Sequence, residues 1–195
     1  VRRALRRAGA VYVQTAVQTD CYFDTPDRRL LAADQGLRIR RVRLLRAARS
    51  GADARPLLTF KGPAGGSRRV KIRREIQTRV DDAEAVAAAL AAAGLLPVLT
   101  VQKRRASWRL GGCLIELDEL PVIGRFVEVE APDEQHIERA RRTLGLPGEP
   151  IADHYLSMLT RACPRAGRTC LAATFDRVTG CGGPQCPARR RARRR

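Results

Sequence analysis

Pairs of charged residues recur two apart along this sequence. Arg38 and Arg40 stand in "LRIR", Lys103 and Arg105 in "QKRR", Glu116 and Asp118 in "IELDE", and Glu128 and Glu130 in "VEVE". A longer set, Lys71, Arg73, Glu75 and Gln77, runs through "KIRREIQ". In an extended chain, residues i and i+2 point to one face, so each set shares a face. The opposite face is mostly apolar, as with Val127 and Val129 beside the glutamates. An ordinary sheet with one wet face explains any single strand of this kind. Five such strands, with basic and acidic pairs converging, fit better a sheet that curls and lines its interior with charge.

Buried charges need partners or a ligand, and a polyphosphate with divalent metals would neutralise both halves of such a lining. Arginine clamps phosphate oxygens bidentately and lysine supplies a compact point charge. Carboxylates hold Mg²⁺ or Mn²⁺, which bridge phosphates. Lysine is rare in this arginine-rich chain, occurring only at positions 61, 71 and 103. Lys61, within "LTFKGP", and Lys103 therefore stand where a compact cation is expected to serve.

The elements that would carry these residues follow from periodicity and turn chemistry. Strands are expected over 11–23, 37–45, 56–61, 69–80, 98–109, 112–119 and 124–131, with "DTPDRR" as a turn and 46–55 as a loop. "VRRALRRAGA" reads as the end of a helix with Gly9 at its C-cap. "DDAEAVAAALAAAG" reads as a helix capped by Asp81 or Asp82 and ended by Gly94, and "PDEQHIERARRTLG" as one capped by Asp133 and ended by Gly145. A last helix, "DHYLSML", is expected to cover one mouth of the curled sheet. Strands with a few helices outside give an α+β domain on an antiparallel sheet.

The chain has 195 residues, enough for one domain, and a formal charge of +18. Residues 163–195 hold nine arginines and one aspartate, or +8, which leaves +10 for residues 1–162. The final "ARRRARRR" is of a kind that contacts nucleic acid nonspecifically. Beyond Ala162, Gly, Pro, Cys and Arg replace the apolar pattern, so 163–195 is expected to be a disordered tail. Its cysteines, Cys163, Cys170, Cys181 and Cys186, lack the paired short spacings of a zinc ribbon. Cys21 and Cys113 lie in expected strands and read as reduced thiols. His136 and His154 each stand alone, which favours surface or capping roles. Trp108, Tyr22, Phe23 and Phe126 read as core or rim. No apolar run approaches the roughly 20 residues of a membrane-spanning helix, and no signal-peptide pattern is present; a cytoplasmic protein is expected. No P-loop or Ser-His-Asp arrangement occurs.

The run "QTDCYFDTPDRRLLAADQGLRIR", followed by "LTFKGP", "RREIQTRV", "VQKRRASW" and "LDELPVIGRFVEVE", resembles the CYTH family of triphosphate tunnel metalloenzymes. Within that family it is most similar to the class IV adenylate cyclase-like branch, over residues 1–162. The resemblance implies an antiparallel β-barrel of eight strands, a tunnel that takes a nucleoside or inorganic triphosphate with Mg²⁺ or Mn²⁺. It implies phosphate contacts from Arg38, Arg40, Lys61, Arg73, Lys103 and Arg105, and a metal-holding set of Glu75, Asp118, Glu128 and Glu130. It designates no catalytic residue here. The family's first strand carries an ExExK motif, which these residues lack, so about seven strands are expected. In the cyclase branch the ribose 3′-hydroxyl attacks the α-phosphate. In the triphosphatases, which act on inorganic or thiamine triphosphate, water attacks the terminal phosphate. The implied function is conversion of ATP to cyclic AMP and pyrophosphate, with triphosphate hydrolysis and non-catalytic polyphosphate binding as alternatives. A homodimer is compatible with this reading.

Overall fold

The computed structural model describes residues 1–48, 55–66, 71–151, 153, 155–162 and 171–176. The chain opens with helix α1 (Arg2–Arg7), whose four arginines turn outward while Leu5 is buried. Gly9, at φ 71°, ends it: Gly9 N donates to Arg6 O and Ala10 N to Leu5 O. Such a left-handed residue favours glycine. Strand β1 (Val11–Asp24) follows, then a one-turn helix α2 (Arg29–Ala32) inside what reads in sequence as turn and loop. Asp24 fixes that turn by accepting from the backbone N–H groups of Thr25, Leu30 and Leu31. Next come β2 (Gly36–Ala47), β3 (Leu57–Lys61), the short β4 (Gly65–Gly66) and β5 (Lys71–Ile72), and β6 (Glu75–Arg79).

Helix α3 (Ala83–Ala92) starts at Asp82, whose side chain accepts from Ala85 N, which decides between the two candidate caps. Strands β7 (Leu96–Leu110), β8 (Cys113–Leu120) and β9 (Gly124–Glu130) form a meander through short glycine-containing turns. Helix α4 (Glu134–Leu144) is capped by Asp133 and ended by Gly145 at φ 59°, as its sequence predicts. Helix α5 (Tyr155–Ala162) and the short β10 (Leu171–Ala173) complete the described chain.

Seven strands pair antiparallel in the order β6-β3-β2-β1-β7-β8-β9, and β10 adds to β7 in parallel at Leu99, Thr100 and Val101. This is the expected antiparallel sheet with helices on its outside. Among the described residues no ladder joins the edge strands β6 and β9. One expectation is corrected. The single strand over 69–80 is broken at Arg73 and Arg74, where Gly62 N bonds to Arg74 O and the Arg73 guanidinium bonds the Asp34 and Gly62 carbonyls. Within the segment expected to be a tail, residues 171–173 form β10, and Ala173 is fully buried beside Leu99, Val101 and Leu159.

Alternation along the strands separates two faces. On the outer face Trp108 and Ile115 pack with Leu5, Ala140 and Leu144 under α1 and α4. Further along the same face, Phe23 and Ile39 pack with Ala83 under α3. The inner face carries the charges. Asp20, Arg38, Arg40, Lys103, Arg105, Glu116 and Asp118 are all less than 9% exposed. A flat open sheet would leave such side chains in water; their burial shows that the sheet wraps around them. At one end of this face the charges give way to Tyr22, Leu99 and Val101, on which Leu159 of α5 sits. No described helix is long and apolar enough to cross a membrane.

Candidate functional site

Register brings the charged positions into rungs. Arg40 lies opposite Asp20, and Asp20 opposite Val101; Gln18 lies opposite Lys103; Arg105 lies opposite Asp118, and Asp118 opposite Phe126. One rung further, Ser107, Glu116 and Glu128 align. Directly opposed residues of antiparallel strands share a face, so these side chains meet.

Two networks result. In the first, Asp20 accepts from Arg40 Nε at 2.6 Å, Arg40 Nη2 at 2.7 Å and Arg38 Nη1 at 3.2 Å. Burial alone would raise the Asp20 pKa. The Arg40 hydrogen bonds and the charges of Arg40 and Arg38 outweigh it and hold the carboxyl down at about 2. In the second, Arg105 donates Nε to Asp118 Oδ1 at 2.7 Å and Nη2 to Asp118 Oδ2 at 2.5 Å. The same guanidinium also pairs with Glu116 and Glu128. Burial pulls Arg105 down, but Asp118 and Glu128 more than restore its affinity for the proton. Lys103 Nζ donates to Asp118 Oδ2 at 3.0 Å, and burial together with the neighbouring Arg105 brings Lys103 down to about 8.

Tyr155 reaches into this second network from α5. Its hydroxyl donates to Asp118 Oδ2 at 3.1 Å, its ring lies 5.3 Å from the Lys103 ammonium, and it packs on Phe126 with ring centres 5.1 Å apart. This is the expected cover over one end of the site. Burial and the charges of Glu128 and Asp118 push the phenol pKa up, so it stays a donor. A surface groove of about 830 Å³, lined by Val11, Arg109, Leu114 and Glu130, lies by the β7–β8 turn.

Five of the six expected phosphate-binding residues therefore line the inner face: Arg38, Arg40, Lys61, Lys103 and Arg105. Lys61 pairs at 2.5 Å with Glu75, which also accepts from Gln77 Nε2 at 2.7 Å. Burial lowers the Lys61 pKa, helped by Arg38. Arg73 stands apart, in the break between β5 and β6, with Nη2 bonded to Asp34 Oδ1 at 2.6 Å.

The acidic set divides differently from its sequence grouping. Glu116, Glu128 and Glu130 each offer one carboxylate oxygen, all within 4.8 Å of one another. Asp118 is taken up by Arg105, Lys103 and Tyr155, and Glu75, on edge strand β6, belongs with Lys61. Glu116 was visible two residues before Asp118 but carries no family motif. Asp20 stood alone among the uncharged residues of an expected strand, with no charged residue two positions away to group it by parity, and nothing in one dimension marks Tyr155 as a neighbour of Asp118. The three clustered carboxylates, one buried and one exposed at the rim, are hard oxygen donors of the kind that hold a divalent cation, and two of them, Glu116 and Glu128, also pair with Arg105.

The inner face is nearly neutral. Arg38, Arg40, Lys61, Lys103 and Arg105 face Asp20, Glu75, Glu116, Asp118, Glu128 and Glu130, so the chain's +18 resides elsewhere.

Other expectations resolve simply. His136 is held by Asp133 at the start of α4. Trp108 is core, edge-on to Tyr12. Cys21 and Cys113 are thiols. Cys163, Cys170, Cys181, Cys186, His154, the terminal arginines and the Lys71 side chain lie outside the described residues.

Comparison with known proteins places this geometry. The family model described as "CYTH domain" matches residues 1–149. The PH1819 protein of Pyrococcus horikoshii OT3 is similar in structure, with a TM-score of 0.68 and 24% identity over 82% of this chain and 92% of that one. A candidate adenylate cyclase from Vibrio parahaemolyticus gives 0.63 and 19%, covering 82% and 89%. HpAC1 of Hippeastrum, a candidate adenylyl cyclase reported to have a dominant triphosphatase activity, gives 0.57 and 18%, covering 82% and 87%. No curated protein matches the sequence.

Proposed function

The chain belongs to the CYTH domain family, and we propose that it is a metal-dependent enzyme acting on a triphosphate held along the inner face of its sheet. One observation carries this reading. Arg38, Arg40, Lys103 and Arg105 are buried in pairs with carboxylates, Lys61 pairs half-buried with Glu75, and the charge of the face is close to zero. A triphosphate brings about four negative charges, which such a lining alone cannot neutralise. Mg²⁺ or Mn²⁺ held by Glu116, Glu128 and Glu130 would offset phosphate charge and polarise a phosphoryl oxygen.

The chain's own groups supply the rest. Arg38, Arg40 and Arg105 are oriented by Asp20 and Asp118, which occupy the Nε–Nη2 forks of Arg40 and Arg105, so phosphate oxygens would meet the guanidinium N–H groups those carboxylates leave over; positioning accounts for most of the catalysis in phosphoryl transfer. Lys61 and Lys103 add compact charges along the same face. Tyr155 and Leu159 exclude water from the covered end. Arg73, bonded to Asp34 and to the Gly62 carbonyl, is not assigned a phosphate contact in this reading.

For the reaction we favour cyclisation of ATP. A bond forms between the ribose 3′ oxygen and the α-phosphorus, the bond to pyrophosphate breaks, and the hydroxyl proton passes to a basic group. The likeness to the Vibrio parahaemolyticus protein supports this reading. Hydrolysis of a triphosphate is the second reading, supported by the triphosphatase activity of HpAC1, which shares the fold. Anion-exchange chromatography of ATP incubated with the protein and Mn²⁺ distinguishes the two. Cyclic AMP with pyrophosphate is the expected result; ADP with phosphate assigns the hydrolase.

A further inference from the structure

Among the buried polar atoms of the inner face, two adjacent donors have no partner: Thr59 Oγ1 and Arg38 Nε. The two residues are directly opposed across β2 and β3, so their side chains stand on one face at the distance of cross-strand neighbours. Thr59 is 0% exposed and Arg38 7%. Leaving a buried hydroxyl and a buried guanidinium N–H unmatched is unfavourable, and a folded chain rarely does so without a reason.

The surroundings define the missing acceptor. Arg38 commits Nη1 to Asp20, Arg40 commits its fork to the same carboxylate, and Lys61 is held by Glu75. Every carboxylate near Thr59 is thus already engaged. The Arg38 guanidinium also bonds the Tyr22 side chain, and what remains is a pair of unmatched donors on one face in a cationic corner. They suit an unprotonated oxygen that accepts from both and is drawn by the positive charge.

We propose that Thr59 and Arg38 Nε together form a subsite for one anionic phosphate oxygen of the substrate, and that Thr59 determines affinity for it. The subsite rests on the triphosphate reading of the inner face. It lies at the β2–β3 side, with β1 and β7 between it and the acidic cluster on β8 and β9.

Thr59→Val is the informative substitution, because it keeps the shape and removes only the hydroxyl. If the hydroxyl exists to bind phosphate, the unliganded variant melts at the same or a higher temperature than wild type, since an unmatched buried group has been lost. The same variant binds substrate more weakly. The probe is the Mg²⁺ complex of inorganic triphosphate with both bridging oxygens replaced by methylene, which resists cleavage, titrated calorimetrically. The account expects Kd to rise about tenfold in Thr59→Val, the loss of roughly one hydrogen bond to a charged group. Thr59→Ser, which keeps the hydroxyl, should stay within about threefold of wild type.

A Kd unchanged in Thr59→Val, with wild type binding normally, overturns the subsite and leaves the triphosphate reading standing. A lowered melting temperature in Thr59→Val shows that the hydroxyl serves the fold and likewise overturns it. Failure of wild type to bind the probe overturns the triphosphate reading, and the subsite with it.

Discussion

Asp20 and Arg40 face each other across β1 and β2, with the carboxylate accepting from both Nε and Nη2 of the guanidinium at 2.6 and 2.7 Å. Asp20 is 2% exposed, and removing a buried partner of this kind strands the remaining charges. Asp20→Asn should cost about 3 kcal/mol of unfolding free energy, measured from urea transitions.

The same carboxylate sets an acid limit. Its pKa is lowered from 3.8 to about 2 on folding, so the stability it contributes is full above pH 4 and is lost as pH falls through 3.8 towards 2. The loss is about 2 kcal/mol. Urea midpoints compared at pH 5 and pH 2.5 should show a fall in wild type that is smaller in Asp20→Asn.

Lys103 behaves oppositely. It is held at about 8 in the fold against 10.5 ordinarily, so between these values the unfolded chain binds the extra proton and stability rises with pH. In the proposed enzyme the charged form of Lys103 is the one that faces phosphate. The value of kcat/KM should therefore fall as pH rises through about 8, and Lys103→Arg, which stays charged, should lose that alkaline limb.

Tyr155 ties the covering helix to the site by one hydroxyl. Tyr155→Phe keeps the ring over Lys103 and against Phe126 but gives up the bond to Asp118, a cost of about 1 kcal/mol. Tyr155→Ala also loses those ring contacts and should cost about 2 to 3 kcal/mol. Equal costs for both would show that the ring contributes nothing.

Much of this site was legible because a strand writes its two faces in alternate letters. Arg38 with Arg40, Lys103 with Arg105 and Glu128 with Glu130 could be grouped by parity alone, and Val127 and Val129 betrayed the opposite face. Parity failed at Arg73, because a bent backbone at Arg73 and Arg74 breaks the alternation while leaving the residue types unchanged. It could not show that Asp118 serves as counter-ion to Arg105 and Lys103 while Glu116 joins Glu128 and Glu130, since that depends on register between strands. Thr59 was hidden more deeply: only the absence of a partner in three dimensions distinguishes it from any strand threonine. Leu171–Ala173 was lost in the Gly, Pro and Arg composition around it, where a three-residue strand leaves no periodic signal.

The most direct test follows phosphate and pyrophosphate release from ATP, and separately from inorganic triphosphate, in Mg²⁺, in Mn²⁺ and in EDTA. Wild type is run beside Glu130→Gln. Turnover of at least one substrate with metal, abolished by EDTA and reduced about a hundredfold or more in Glu130→Gln at limiting metal, is the predicted result. Absence of turnover on both substrates with both metals, or turnover that survives EDTA and Glu130→Gln, would contradict the account.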